Sequence, residues 1–299
     1  MRRWPTALIA VIATAIAALL SGCSTVAQDS PAEGEPSGQI VATANFGSDL
    51  LLDRRVPPGQ SVLRALRGAT PVETSYGGGF VSEMLDRRSD PSRRRDWFYW
   101  VDGALADVGA RDRDLGEGEE AWWDYRDWGQ LTDIWAVVGQ WPAPFVSAGS
   151  PDRGVFADEP LRAEVVAEGA TISSDPRAPF RVRVGSNEAL VASDPAWERA
   201  SADPDGAGLA VAIDDDQIVA LGPNGEKRSP VPGARALAAA VPSGLESRRG
   251  ILMVVAGLDQ EAAEAAAETI ADRPEVLRLR FAVAFDREGD PITGSGAST

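Results

Sequence analysis

The sequence contains no histidine and a single cysteine, and these two scarcities exclude most catalytic chemistries. Without histidine, the chain cannot form a Ser-His-Asp or Cys-His nucleophile system or an imidazole metal ligand. Lys227 is the only lysine and no Gly-Lys dipeptide occurs, which excludes a Walker phosphate loop. Paired carboxylates remain for acid–base chemistry, but no spacing singles out one pair. We therefore expect a protein that is not an enzyme, with no catalytic residue, metal site or cofactor.

Positive charge is scarce as well. The chain has 29 Lys and Arg against 45 Asp and Glu, which gives a formal net charge of -16. Because nucleic-acid binding depends on clustered basic residues that release counterions from phosphates, nucleic acid is not an expected partner. The hydrophobic share of 44% is usual for folded protein, and a length of 299 residues favours two domains.

The N-terminus has the pattern of a secretory signal. Met1-Arg2-Arg3 precedes an apolar run over 7–20 that is too short for a membrane span, and Leu20-Ser21-Gly22-Cys23 follows. These last four residues resemble the lipobox of bacterial lipoproteins. The resemblance implies that residues 1–22 are removed as a signal peptide. It also implies that Cys23 carries a diacylglycerol, with a further acyl chain such as palmitate on the new amino group.

Lipidation predicts the location of the protein. Two or three acyl chains give stable membrane anchoring, since each buried methylene contributes about 0.8 kcal/mol. We expect a lipid anchor in the cell membrane, with the protein on its extracytoplasmic face. The alternative is a secreted protein with an incidental cysteine. Residues 23–39 lack any apolar period, which indicates a flexible tether between the lipid and the folded part.

The pattern over 40–147 predicts a small mixed β domain of the β-grasp type. Two strands at 40–46 and 50–56 are expected to form a hairpin around Gly47-Ser48-Asp49. Apolar residues at helical spacing over 61–67 follow a Ser cap and precede Gly68 as a stop. Further strands are expected at 72–76, 80–85, 97–101 and 121–126.

Six motifs in this segment carry a family resemblance. They are Gly59-Gln60-Ser61-Val62-Leu63-Arg64-Ala65-Leu66, Gly79-Phe80-Val81, Asp96-Trp97-Phe98-Tyr99-Trp100-Val101-Asp102-Gly103, Val108-Gly109-Ala110, Leu115-Gly116-Glu117-Gly118-Glu119 and Trp123-Asp124-Tyr125. In this order they resemble the transcobalamin-like C-terminal domain. The resemblance implies a β-grasp-type fold and, as ligand, cobalamin or another corrinoid. Asp102 stands where that family has Asn, and the large helical domain of the vertebrate cobalamin carriers has no counterpart here.

The segment 148–299 is acidic and matches no family that we recognise. Its last part predicts alternating strands and helices, so the expected fold class is α+β overall, with a small α/β domain here. Asp214-Asp215-Asp216 is expected to form a hairpin turn rather than a cation site. Strands are predicted at 161–166, 180–184, 209–213, 217–221, 251–257 and 276–285, and helices at 233–241 and, capped by Asp259 and stopped by Pro274, at 260–271.

Aromatic residues concentrate in one stretch, since seven of the nine Trp and all three Tyr lie between Tyr76 and Trp141. Alternation along 97–101 places residues on both faces of a strand, so one face should pack on the helix over 61–67. The other face should be covered by the second segment, a partner or a ligand. Some of these aromatics are candidates for lining a groove for a flat ligand: Trp97, Tyr99, Trp100, Trp123 and Tyr125.

Two functions of different classes fit these observations. The first is capture of a small ligand, a corrinoid or another ring-shaped nutrient, for hand-over to an uptake transporter. A pocket between the two segments, lined by Tyr99, Trp123 and Tyr125, would favour it. The second is an envelope protein–protein interaction module that binds no small molecule. Packed rings and a flat apolar patch would favour that module. The sequence alone does not separate the two functions, because Trp enrichment suits both. The arginine cluster at 87–95 is expected to be a solvated connection or a docking patch for an acidic group.

Overall fold

The computed structural model describes residues 38–146, 154–222, 225–244 and 250–292. The predicted signal peptide 1–22, the lipidation site Cys23 and nearly all of the tether 23–39 lie outside these residues. Among the described residues, no helix combines the length and the hydropathy needed to cross a bilayer.

The first part of the chain forms a mixed sheet with one packed helix. The α-helix α1 begins after Ser61, whose hydroxyl oxygen accepts a hydrogen bond from the backbone N–H of Arg64 at 3.3 Å and so caps the first turn. It runs one residue beyond the expected stop at Gly68. The elements are β1 (Gly38–Ala44), β2 (Asp49–Val56), β3 (Gln60–Ser61), α1 (Val62–Ala69), β4 (Val72–Ser75), β5 (Phe80–Met84), β6 (Arg87–Arg88), β7 (Arg95–Val101), β8 (Ala104–Leu105), β9 (Asp114–Leu115) and β10 (Glu120–Asp127).

The main sheet of this part has the order β2-β1-β10-β7-β8. Strands β1 and β10 are parallel neighbours in its centre, and every other pair is antiparallel. The first and last long strands of the segment therefore lie side by side, and α1 packs across one face. The expected hairpin of β1 and β2 is confirmed, with a register shift between Ala42 and Thr43.

The second part builds another five-stranded sheet, in the order β11-β12-β17-β16-β18. Its first three strands are parallel, and β16 and β18 are antiparallel additions. Strands β13, β14 and β15 form a separate three-stranded sheet. Its β13–β14 turn is the Asp214-Asp215-Asp216 run, as expected. The elements are α2 (Ala143–Val146), β11 (Val155–Ala157), α3 (Leu161–Ala167), β12 (Phe180–Ser186), α4 (Asn187–Ser193), α5 (Pro195–Ala202), β13 (Val211–Asp214), β14 (Gln217–Ala220), β15 (Ser229–Pro230), β16 (Ala236–Pro242), β17 (Ile251–Gly257), α6 (Gln260–Asp272) and β18 (Val283–Phe285).

The α+β class is confirmed, but three element predictions in the second part are wrong. The predicted helix 233–241 is strand β16, because its alanines fill the centre of the sheet with both faces buried. The predicted strand 161–166 is helix α3, which buries Leu161 and Val165, one turn apart. The predicted strand 276–285 begins as a 3-10 turn at Pro274–Leu277, and only β18 at its end pairs with the sheet.

The core crosses the expected domain boundary near residue 147. One cluster of buried side chains joins Trp100 and Trp122 of the first sheet to Trp197, Leu237 and Phe281 of the second part. A second cluster joins α1 to the other face of the first sheet. All described residues belong to one compact unit. The division into domains at 40–147 and 148–299 stays a prediction, with a shared core between them.

Candidate functional site

An open groove of about 310 Å³ lies beside β7 and β10. Its floor is formed by three aromatic side chains that alternate with the oppositely directed residues of these strands: Trp97, Tyr99 and Trp123. Its walls come from β5 and from the loop after β8, chiefly Phe80 and Val108. All lining residues lie between 79 and 133, so the groove belongs to the first part alone and not to the space between the two expected domains.

The floor is rigid because its rings pack in cross-strand pairs. Trp123 is directly opposite Tyr99 in the sheet, and the two rings stack with centroids 4.5 Å apart and an interplanar angle of 19°. Trp97 is opposite Tyr125, with centroids 5.2 Å apart. Such aromatic pairs stabilise neighbouring strands by about 0.5–1.5 kcal/mol beyond their buried area. Only 4% of Trp97, 8% of Tyr99 and 2% of Trp123 is exposed, so a ligand in the groove would contact chiefly its walls.

The polar atoms of the floor are paired with one exception. The Tyr99 hydroxyl donates to the carbonyl oxygen of Val108 at 2.6 Å, and burial raises the pKa of this phenol. Trp97 Nε1 donates to the carbonyl oxygen of Arg87 at 3.1 Å. Trp123 Nε1 is buried and has no hydrogen-bond partner among the described residues. An unpaired buried donor costs about 1–3 kcal/mol, and because this nitrogen is inaccessible the cost belongs to the folded state rather than to a contact with a ligand.

The walls of the groove expose apolar side chains. Phe80 is 52% exposed and Val108 is 43% exposed, and Tyr76 beside them is 90% exposed. The Tyr76 and Phe80 rings meet edge to face at 6.4 Å. The loops that carry these side chains touch at two glycines, where a Cβ on Gly109 would lie 2.7 Å from the carbonyl oxygen of Gly79. The close approach of backbone to backbone therefore fixes the positions of both walls.

The opposite face of the same sheet is closed. Trp100 and Trp122 are fully buried, and the Phe281 ring lies 5.1 Å and 4.9 Å from their centroids. Trp100 Nε1 donates to the carbonyl oxygen of Ile134 at 2.8 Å. The face that carries Tyr99 and Trp123 packs on α1, as expected. For the other face the sequence left the second segment, a partner or a ligand as alternatives, and the structure has Phe281 of the second segment there. Trp100, proposed from the sequence as a ligand residue, does not reach the groove because its side chain points to this closed face.

Two charged side chains are buried on the closed face. The Asp124 carboxylate accepts hydrogen bonds from Thr43 Oγ1 at 2.7 Å and from the backbone N–H groups of Phe46 and Gly47 at 3.1 and 3.0 Å. Burial raises the pKa of Asp124, and these hydrogen bonds oppose the shift. The Arg126 guanidinium lies 4.1 Å from the centroid of the Phe98 ring, and burial lowers its pKa to about 10. Asp124 therefore holds the turn after β1 against β10. Arg126 donates to the carbonyl oxygens of Leu131 and Thr132 at 2.6 and 2.7 Å and holds the segment after β10, so both groups have a structural role.

Of the five aromatics proposed from the sequence, three meet at the groove: Trp97, Tyr99 and Trp123. Tyr125 stands next to Trp97 but donates its hydroxyl to the carbonyl oxygen of Arg88 at 2.7 Å, outside the groove lining. The sequence did not single out Phe80 and Val108, although both occur in the motifs of the family resemblance. They become the two walls of one groove because Gly109 packs against Gly79, 30 positions earlier along the chain.

No group of three or more His, Cys, Asp or Glu side chains in the described part of the chain is arranged to hold a metal ion. The expected arginine cluster is divided among partners. Arg88 pairs with Glu73 at 3.0 Å, and Arg95 donates to the side-chain oxygen of Asn45 at 3.0 Å. These contacts engage two of the five arginines, and the choice between a solvated connection and a docking patch stays a prediction.

Comparison with known proteins gives a family match over part of the chain and matches to solved structures. The family described as a domain of unknown function (DUF4430) matches residues 59–127, the stretch that contains the six sequence motifs and most of the groove. A crystal structure described as a "putative metal binding protein" from Ruminococcus gnavus ATCC 29149 is 11% identical, over 31% of this chain and 98% of that chain, with a TM-score of 0.27. The metal binding in that description concerns that protein. No curated protein sequence matches this chain.

Proposed function

We propose that this protein captures a small, flat, largely apolar ligand in the groove over Tyr99 and Trp123, without a chemical step. The observation that carries the proposal is the pre-formed aromatic floor beside two exposed apolar walls. A cleft of about 300–1,000 Å³ with apolar walls and few polar groups is the usual form of a small-molecule site. At about 310 Å³, this groove would hold one face or edge of a larger ligand.

A corrinoid is the ligand class to test first. The support for it is the resemblance of the motifs within 59–125 to the transcobalamin-like C-terminal domain, together with the strand order in which β1 and β10 are central parallel neighbours. The corrin ring would stack on the exposed side chain of Phe80. Ligand capture would precede hand-over to an uptake transporter.

The test is a titration of the full-length chain, in dodecyl maltoside micelles, with cobalamin and with cobinamide. Tryptophan fluorescence and calorimetry follow the binding. We expect saturable heat with quenching, and a loss of affinity of about tenfold in Phe80→Ala, because the substitution removes the main exposed wall. Leu50→Ala is the matched control, since Leu50 is equally exposed, at 58%, and lies outside the groove. Absence of heat with both corrinoids would refute the corrinoid assignment.

We further propose that Cys23 anchors the protein to the extracytoplasmic face of the cell membrane. The support is the Leu20-Ser21-Gly22-Cys23 motif after a short apolar segment. Replacing Cys23 with Ser should release the protein from the membrane fraction or leave an uncleaved precursor. Processed protein that still fractionates with the membrane after this change would contradict the anchor.

A second candidate function is docking of a protein partner on the same rim. The exposure of Tyr76 at 90%, in ring contact with Phe80, favours it, because aromatic side chains are enriched in interface cores. A photo-crosslinking residue at position 76 should then capture a discrete partner in intact cells, whereas the same residue at position 50 should not. Equal labelling at the two positions would remove this candidate.

A further inference from the structure

A second cleft, of about 500 Å³, lies on the other side of the loop that forms a wall of the groove. Three arginines line it: Arg64 and Arg67 on α1, and Arg111 on the loop before β9. No carboxylate is part of the lining, and its other members are Leu63, two glycines and four residues with hydroxyl groups: Ser61, Thr74, Ser75 and Tyr76. In a chain with a net charge of -16, a cleft without acidic residues is a local exception.

The three guanidinium groups differ in how far they are already engaged. Arg111 donates to the carbonyl oxygen of Gly77 at 2.6 Å and pairs with Asp112 at 3.1 Å. Arg67 donates to Thr74 Oγ1 at 3.2 Å. The guanidinium of Arg64 is exposed and has no hydrogen bond or ion pair with any described residue. The cleft therefore contains one guanidinium without a partner among the described residues, that of Arg64, next to two that are held by hydrogen bonds.

Nearby carboxylates do not cancel this charge. Glu73, next to Thr74, pairs with Arg88 at 3.0 Å, and Asp112 is engaged by Arg111. Asp114 stands opposite Ser61 in the short β3–β9 pair but is not part of the cleft lining. Two arginines one helical turn apart, with a third across the cleft, can surround a tetrahedral oxyanion and donate several N–H groups to it.

We propose that this cleft binds a phosphate-bearing group, with Arg64 and Arg67 as its main donors and Arg111 as the fixed opposite wall. The planar guanidinium fork matches phosphate geometry better than a point charge does. The hydroxyls of Thr74 and Ser75 supply neutral donors at the base. The site is separate from the aromatic groove and stands whether or not the groove binds a corrinoid.

The test is a calorimetric titration of the full-length chain in dodecyl maltoside micelles, which carry no phosphate, with inorganic pyrophosphate as the probe. We expect saturable binding at one site, weakened about tenfold or more in the double variant Arg64→Gln/Arg67→Gln. Both side chains are exposed, so the variant should keep its circular dichroism spectrum. Arg55→Gln is the matched control, because Arg55 is an exposed arginine outside the cleft and should change the affinity less than twofold.

Two further arms separate this site from the groove and identify the source of the phosphate. Phe80→Ala should leave pyrophosphate binding unchanged. Phosphatidylglycerol in mixed micelles should compete with pyrophosphate if the natural ligand is a lipid head group, whereas unchanged affinity points to a soluble phosphate compound. Mixed micelles that contain cholate at the same negative charge are the control for electrostatic repulsion between the micelle and pyrophosphate. Absence of saturable binding, or equal weakening by Arg55→Gln, would overturn the proposal.

Discussion

The two faces of the sheet β2-β1-β10-β7-β8 carry similar side chains but are covered in different ways. On one face, Trp100 and Trp122 are sealed by Phe281, and their polar groups are paired. On the other, α1 covers only part of the surface, and Tyr99 and Trp123 form the floor of a groove. The aromatic side chains of β7 and β10 therefore form a sealed core on one face of the sheet and the base of a groove on the other. The difference lies in how completely the rest of the chain covers each face.

The closed face should contribute most to stability. Phe281→Ala removes the ring that contacts Phe46, Trp100 and Trp122, and it leaves a cavity where the two sheets share their core. We expect the free energy of unfolding to fall by about 3–5 kcal/mol in urea titrations. Val166→Ala, at a side chain that is 48% exposed, should change it by less than about 0.5 kcal/mol. A loss below about 1 kcal/mol in Phe281→Ala would mean that the closed face is not part of a core shared by the two parts of the chain.

The buried carboxylate of the closed face should give stability a distinctive pH dependence. Asp124→Asn places an amide where three donors converge, and should cost about 1–3 kcal/mol. Burial raises the pKa of Asp124 in the folded state. The contribution of this carboxyl group to the free energy of unfolding is therefore complete below the unfolded pKa of about 3.9 and is lost as pH rises through the folded pKa.

The measurement is urea unfolding of wild type and Asp124→Asn at a series of pH values, from below the unfolded pKa of about 3.9 upward. The stability advantage of the wild type should shrink with rising pH, by about 1.4 kcal/mol for each unit of pKa difference. Asp216→Asn, at an exposed turn, is the control and should show no such trend. An advantage that grows with pH would show that the hydrogen bonds outweigh burial at Asp124.

A smaller effect is expected at the floor of the groove. Tyr99→Phe removes the 2.6 Å hydrogen bond to the carbonyl oxygen of Val108 and keeps the stacked ring. We expect a loss of about 1 kcal/mol in unfolding free energy, and faster amide hydrogen exchange in the loop around Val108. Unchanged exchange would indicate that the glycine contact between the two loops alone fixes this wall.

The smallest effect on stability is expected at the groove wall. Phe80→Ala and Leu50→Ala both truncate exposed side chains, so each should change the free energy of unfolding by less than about 0.5 kcal/mol. The two variants should differ in ligand affinity alone. A large loss of stability in Phe80→Ala would mean that Phe80 supports the fold rather than a ligand.

Local sequence signals predicted the longer elements of the first part of the fold but not its two-residue strands β3, β6, β8 and β9. The Ser61 cap, the helical spacing after it and the β1–β2 hairpin are short-range features, and all are present in the structure. They failed at β16, where alanines favour a helix by intrinsic propensity but lie between neighbouring strands. Burial on both faces outweighs a propensity of a few tenths of a kcal/mol per residue.

The candidate site was predictable in the same uneven way. Alternation placed Trp97 and Tyr99 on one face and Trp100 on the other, which is correct, because the period of a strand is fixed by its backbone. It gave no means to tell which face would remain open. In the second cleft, Arg111 is 44 or more positions from Arg64 and Arg67 along the chain, and only the packing of α1 against the loop before β9 brings it to them.

The sequence by itself determined the chemistry that is available: no histidine, one cysteine at the end of a lipobox-like motif, and aromatics that alternate along two strands. These are properties of residue type and of local backbone period, which need no partner. Only the tertiary structure decided that Phe281 closes one face, that Phe80 and Val108 frame a groove on the other, and that three arginines share a cleft. Such features depend on contacts between residues distant in sequence, because cover and charge proximity are set by packing.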